Sequence, residues 1–116
     1  MKIDRKAVHE KYHGHCAYCG KAIKLSEMQV DHLIPKAKED VFNYEQINDY
    51  SNLMPACRRC NHYKRANSLE LFRMLIQGIP SRLMEREYIF KVGVDYGFFS
   101  PKDREVTFYF EQVERR

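Results

Sequence analysis

No stretch of this 116-residue chain approaches the ~20 consecutive apolar residues that a transmembrane helix requires. The sequence therefore predicts neither a helical membrane span nor a membrane partner. The opening MKIDRKAVHEKYHG is charged from its second residue and lacks the apolar core of a secretory signal. These absences together predict a cytoplasmic protein. Thiols stay reduced there, so the four cysteines read as metal ligands rather than disulfides. Repeats, low-complexity tracts and linkers are also missing, and the length suits one domain with a genuine core. The expectation is a single domain over 1–116, with its motifs in a core of about 16–66 and an extension over 68–116.

Acid is missing locally. No Asp or Glu lies between Tyr50 and Leu69, whereas Arg58, Arg59, Lys64 and Arg65 all do. The net charge of +4 says little about partners. The local excess says more, because exposed charges are screened within ~10 Å at ordinary salt. A solvated helix face usually mixes signs, so CRRCNHYKR points to a phosphate-bearing partner.

What is present organises the chain. Asp4 can cap a helix reaching about Tyr12, ended by His13-Gly14. CAYCG places Cys16 and Cys19 on either side of a tight turn. EMQVDHLIP has strand character and stops at Pro35. Residues 36–51 are polar, without a clear period, and predict a long loop. A helix is expected from Cys57 to about Ala66, and Ser68 can cap another carrying Leu69, Phe72, Leu75 and Ile76 at helical spacing. Gly78 and Pro80 end that helix, and a further helical segment covers 81–91. EVTFYFEQV alternates Val106, Phe108 and Phe110 with polar or amphipathic residues, the pattern of a half-buried strand.

Cys16-x2-Cys19 and Cys57-x2-Cys60 supply four thiolates, the set that structural zinc prefers. Either pair alone would be a weak signal. Residues 20–56 separate the pairs, too many for a compact finger, so an independent element must sit inside the loop the metal closes. Four thiolates leave no coordination position for substrate. Catalytic residues, if any, belong elsewhere.

That enclosed segment holds VDHLIP, then the Asn52-Leu53 pair, before C-x2-C-N-x2-K. In this order the motifs resemble those of the HNH endonucleases, over residues 16–64. The resemblance implies an α+β fold: a small zinc-ribbon ββα-metal core with flanking helices and, from the alternation noted above, a C-terminal strand. It implies roles residue by residue. His32 matches the general base that deprotonates water. Asp31 and Asn61 match the ligands of one catalytic divalent metal. Asn52 matches the asparagine that holds the loop and orients the histidine, and Lys64 the basic residue that follows on the helix. DNA is the implied partner, cleaved to 3′-hydroxyl and 5′-phosphate ends; homodimerisation is left open. The pattern departs from the commonest one at Asn61, where histidine is frequent.

The chemistry of these residue types agrees. Phosphodiester hydrolysis needs an activated water and a cation to offset developing charge. An ordinary histidine, with pKa ~6.5, suits a base near neutrality. A carboxylate and an amide oxygen are hard ligands suited to Mg²⁺ or Mn²⁺. Adjacent strand residues point to opposite faces, so Asp31 and His32 can share one phosphate only where the strand ends. On the helix, Lys64 and Arg65, three and four positions past Asn61, share its face; His62 is the alternative ligand if the helix is rotated. Arg58, Arg59, Lys64 and Arg65 are expected to contact DNA. His13 and His15 read as loop histidines, and the stripe over 69–76 with Phe108 and Phe110 reads as core. The rival function is a non-catalytic zinc-ribbon nucleic-acid-binding module, which would have no use for Asp31, His32 and Asn52 in this order.

Overall fold

The computed structural model describes residues 3–35 and 44–115, and for Tyr44 the backbone alone. These divide into two compact units, residues 1–69 with 107–116, and residues 70–106.

In the first unit, Asp4 accepts a hydrogen bond from the Ala7 amide at 3.1 Å and caps helix α1, Arg5–Glu10. The chain leaves it through His13 and Gly14, both at positive φ. After the cysteine turn and a short 3-10 turn at Leu25–Glu27, strand β1 (Gln29–His32) pairs antiparallel with β2 (Leu53–Ala56). Val30 faces Pro55 and His32 faces Leu53. Helix α3, Arg58–Lys64, follows directly, which gives the ββα order. Val8, Met28 and Leu53 form a small core against Ile3, Ile23 and Val30. Helix α1 also secures the approach to β2, since Lys11 Nζ donates to the carbonyls of Tyr50 (2.9 Å) and Leu53 (3.0 Å).

The expected loop over 36–51 is in part structured. Residues 36–43 lie outside the described set, but Tyr44–Ile47 form a helical turn, α2, and Tyr50–Asn52 a 3-10 turn capped by Asp49. The apolar Ile47 is buried here, which the surrounding polar composition concealed.

The expected C-terminal strand is a correction. Residues 106–108 are not paired in a sheet, and Tyr109–Glu114 form helix α7. Phe108 and Phe110 are core, as the alternation implied, but against the cysteine turn: both stand roughly perpendicular to the Tyr18 ring. The Tyr109 and Phe110 amides donate to the carbonyls of Tyr18 and Ala17 at 3.1 and 2.8 Å. First-turn amides have no partner within their own helix, and the turn supplies one. Glu111 Oε1 accepts from the Phe108 amide at 2.8 Å and closes the helix start. The same apolar spacing thus serves an extended approach and a helix. Gly20, at φ +82°, lies under the Tyr109 ring, where a Cβ would come within 2.8 Å of a ring carbon.

The second unit carries most of α4 (Leu69–Gln77), then α5 (Ile79–Arg86) and α6 (Tyr88–Asp95). The segment expected as one helix over 81–91 is two. Pro80 sits in the first turn of α5, where a missing N–H costs nothing, and Glu87 adopts an extended conformation between the helices. Phe72 is fully buried, and Phe90 stacks on Phe99 at 5.3 Å. Among the described residues no helix is long and apolar enough to cross a membrane. The α+β class is as expected, with one two-stranded sheet among helices.

Candidate active site

The cysteine pairs converge. The sulfurs of Cys16, Cys19, Cys57 and Cys60 all lie within 4.8 Å of one another, against about 3.8 Å for the edge of a tetrahedron with ~2.3 Å zinc–sulfur bonds. Cys19 and Cys57 stand 3.9 Å apart. Cys57 also caps α3, accepting from the Cys60 amide. Four sulfurs this close are suited to one divalent cation, which would balance several thiolates at once. Spacing, donor softness and charge fit zinc.

Strand β1 ends at His32, as sharing one phosphate requires. Past that end lies a shallow cleft of about 230 Å³, lined by Val30, Asp31, His32, Pro35, Asn61, Arg65 and Ala66. The candidate base, both candidate hard ligands and one arginine thus meet on one surface. Arg65 ends α3 at φ +54°, an unusual conformation for a side chain larger than glycine.

Asn52 is buried and uses its whole amide. Its Oδ1 accepts from the Ile34 amide at 2.7 Å, while Nδ2 donates to the carbonyls of Ile34 (3.1 Å) and Ile47 (2.7 Å). It therefore clamps the backbone just past His32. His32 Nε2 lies 3.0 Å from Asn48 Oδ1. With that oxygen as acceptor, Nε2 carries the proton and Nδ1 is the basic nitrogen.

Residues 16–67 match the family model described as HNH endonuclease. Over these residues, somewhat under half of the chain, the sequence is similar to the HNH endonuclease family. A relative described as CRISPR-associated endonuclease Cas9, from Corynebacterium diphtheriae, is 39% identical over 49 residues, which is 42% of this chain and 4% of that protein. A solved structure, the Type II-C Cas9 enzyme from Actinomyces naeslundii, is similar with a TM-score of 0.50 and 20% identity, over 79% of this chain and 10% of that one. The latter likeness is one of fold. This chain spans only a small part of either relative's length.

Within residues 16–67, one expected DNA contact is corrected. Lys64 is fully buried, its Nζ 3.1 Å from Asp31 Oδ2 and 3.2 Å from the His32 carbonyl. A helix presents successive residues ~100° apart, and the turn that brings Asn61 and Arg65 to the cleft aims Lys64 at β1. Arg58 and Arg59 are exposed and line a different, larger depression of about 930 Å³ with Lys21 and His62. Asn61 and His62 therefore line different surfaces. His13 is exposed, whereas His15 is partly buried and stacks on Tyr109 at 5.3 Å.

Two site neighbours were not singled out from the sequence. Asn48 lies in the stretch read as loop, and nothing local marks it. Tyr18, within CAYC, is buried and donates to Asp31 Oδ2 at 2.5 Å. Burial, then the Asp31 charge, raises its phenol far above the ordinary range, which keeps it a donor. A tyrosine buried in a metal knuckle needs a hydroxyl partner, and that was the available clue.

Proposed function

We propose that residues 1–116 act as one metal-dependent nuclease domain that hydrolyses DNA phosphodiester bonds. The observation that carries this reading is the convergence of Asp31, His32, Asn61 and Arg65 on one cleft of the ββα segment. In the proposed reaction His32 Nδ1 takes a proton from water, and Asn48 holds the ring by its other nitrogen. Asn52 keeps the backbone after His32 from shifting. Asp31 and Asn61 offer a carboxylate and an amide oxygen, a hard donor pair that fits Mg²⁺ or Mn²⁺. Such a cation, when bound, offsets the negative charge that builds on the phosphoryl oxygens and the leaving oxygen. Arg65 is placed to neutralise the phosphate. Arg58 and Arg59 are placed to meet DNA farther along, beside Lys21 and His62. The proposal places the protein in the cytoplasm; the homodimer is a separate question for solution mass measurement.

The rival, DNA binding without cleavage, draws on one observation: Lys64 pairs with Asp31 at 3.1 Å and balances its charge. Supercoiled plasmid incubated with zinc-loaded protein and Mg²⁺ or Mn²⁺ separates the two. The wild type is expected to nick or linearise it. His32→Ala is expected to lose activity by ~10²-fold or more, with DNA affinity within a few-fold, and Asn61→Ala to lose most activity while His62→Ala keeps it. A wild type no more active than His32→Ala, yet binding DNA in a salt-sensitive way, establishes the rival.

A further inference from the structure

Asp31 is 6% exposed, and both of its bonded partners approach the same oxygen. Tyr18 Oη donates to Oδ2 at 2.5 Å, and Lys64 Nζ lies 3.1 Å from it. Among the described residues no hydrogen bond reaches Oδ1, although Asp31 lines the cleft with His32 and Asn61. The two donors come from opposite sides of the sequence motif. Tyr18 sits between two zinc-cluster cysteines, and its ring stands edge-on to Phe108 at 5.5 Å and Phe110 at 6.2 Å, which fixes where its hydroxyl points. Lys64 ends α3, four residues past Cys60, and its ammonium also holds the His32 carbonyl at 3.2 Å. One buried cation thus ties the side chain of Asp31 and the backbone of His32. A buried ion pair of this kind adds little net stability beside an apolar replacement, yet it is costly to break from one side. Specific placement of the carboxylate is what such a pair supplies.

We propose that Tyr18 and Lys64 are positioning residues that fix Asp31 through Oδ2 alone, leaving Oδ1 as the oxygen offered to a divalent cation in the cleft. They thereby make the geometry of the cleft depend on the folded cysteine cluster. The inference rests on Asp31 being a metal ligand, as proposed above. Partners of a ligating carboxylate typically alter metal affinity or activity by about 10- to 100-fold when removed.

The test is Mn²⁺ affinity of zinc-loaded protein, read by electron paramagnetic resonance without DNA, alongside zinc content. Tyr18→Phe keeps the ring and its packing, so one zinc per chain is expected to remain while the Mn²⁺ Kd rises about 10-fold. In an Asp31→Asn background the same substitution is expected to change the Kd by less than about two-fold, because its effect passes through that carboxylate. A purely structural tyrosine would lower affinity equally in both backgrounds, and that result overturns the inference. So does a Tyr18→Phe protein that binds Mn²⁺ like the wild type. Lys64→Gln is run through the same cycle with the same expectation, and it decides the matter alone should Tyr18→Phe fail to hold zinc. Asp31→Asn with wild-type Mn²⁺ affinity removes the ligand assignment and this inference with it. Loss at Asp31 with silence at Tyr18 and Lys64 removes the inference only.

Discussion

The cysteine cluster and the cleft lie toward opposite ends of helix α3 and are built on contrary terms. The cluster gathers four soft sulfurs within 4.8 Å of one another, each from a residue whose type and spacing announce it. The cleft gathers a carboxylate, an imidazole and an amide from β1 and α3. Four residues outside its lining bond its members or the backbone beside them: Asn48 to His32, Asn52 to Ile34, and Tyr18 and Lys64 to Asp31. A closed thiolate set defines its own geometry once metal binds. Under the proposed function the cleft is an open hard-donor set, which cannot do so because its members must stay in place while a coordination position is free. The scaffold around it would then do what a metal does in the cluster.

The largest test of this contrast is metal removal. Stripping the thiolate-bound zinc is expected to unfold the first unit, since structural zinc sites are worth about 10–16 kcal/mol of binding free energy in small domains. Mild EDTA, which reaches only a weakly held cation in the cleft, is expected to stop cleavage with no change in circular dichroism. Unchanged structure in fully zinc-free protein would show that the cluster is not the organising site.

Next in size is the clamp. Asn52→Ala leaves the Ile34 amide and the Ile34 and Ile47 carbonyls without their side-chain partner. At about 1 kcal/mol for each orphaned group, roughly 3 kcal/mol of stability should be lost, with zinc content unchanged. Urea unfolding monitored beside zinc stoichiometry reads both. A loss under 1 kcal/mol, on the order of one hydrogen bond, means water replaces the amide and the clamp is weaker than its geometry suggests.

The smallest effect belongs to the outer basic surface. Arg58→Ala with Arg59→Ala should weaken DNA binding and reduce the log–log salt slope by about 2, one unit per phosphate contact. Cleavage at saturating DNA should stay near wild type, because neither arginine lines the cleft. An unaltered slope between 50 and 200 mM salt, roughly the range in which such contacts are lost, would exclude these arginines from the interface.

Some of this was legible in the chain itself. The paired Cys-x2-Cys spacing located the cluster, because metal ligation depends on residue type and on short local turns. The order VDHLIP, then asparagine, then C-x2-C-N marked the ββα segment, and Pro35 signalled that β1 must end near His32. Asp4 before the first helix was legible for the same reason: a cap is a contact over three residues. The fate of EVTFYFEQV was not. Its alternation is compatible with a strand, but a strand needs a partner, and here the backbone amides found the cysteine turn instead. Lys64 shows the same limit more sharply. Its charge and position fitted a phosphate contact, and only the rotation of α3 against β1 turned it inward onto Asp31. Asn48 and Tyr18 lie 16 and 13 residues from the groups they bond. Residue type and local spacing set what each side chain can do. Which of those capacities is used depends on what long-range packing brings within about 3 Å, since a hydrogen bond falls off beyond that reach, and that distance only the tertiary structure decided.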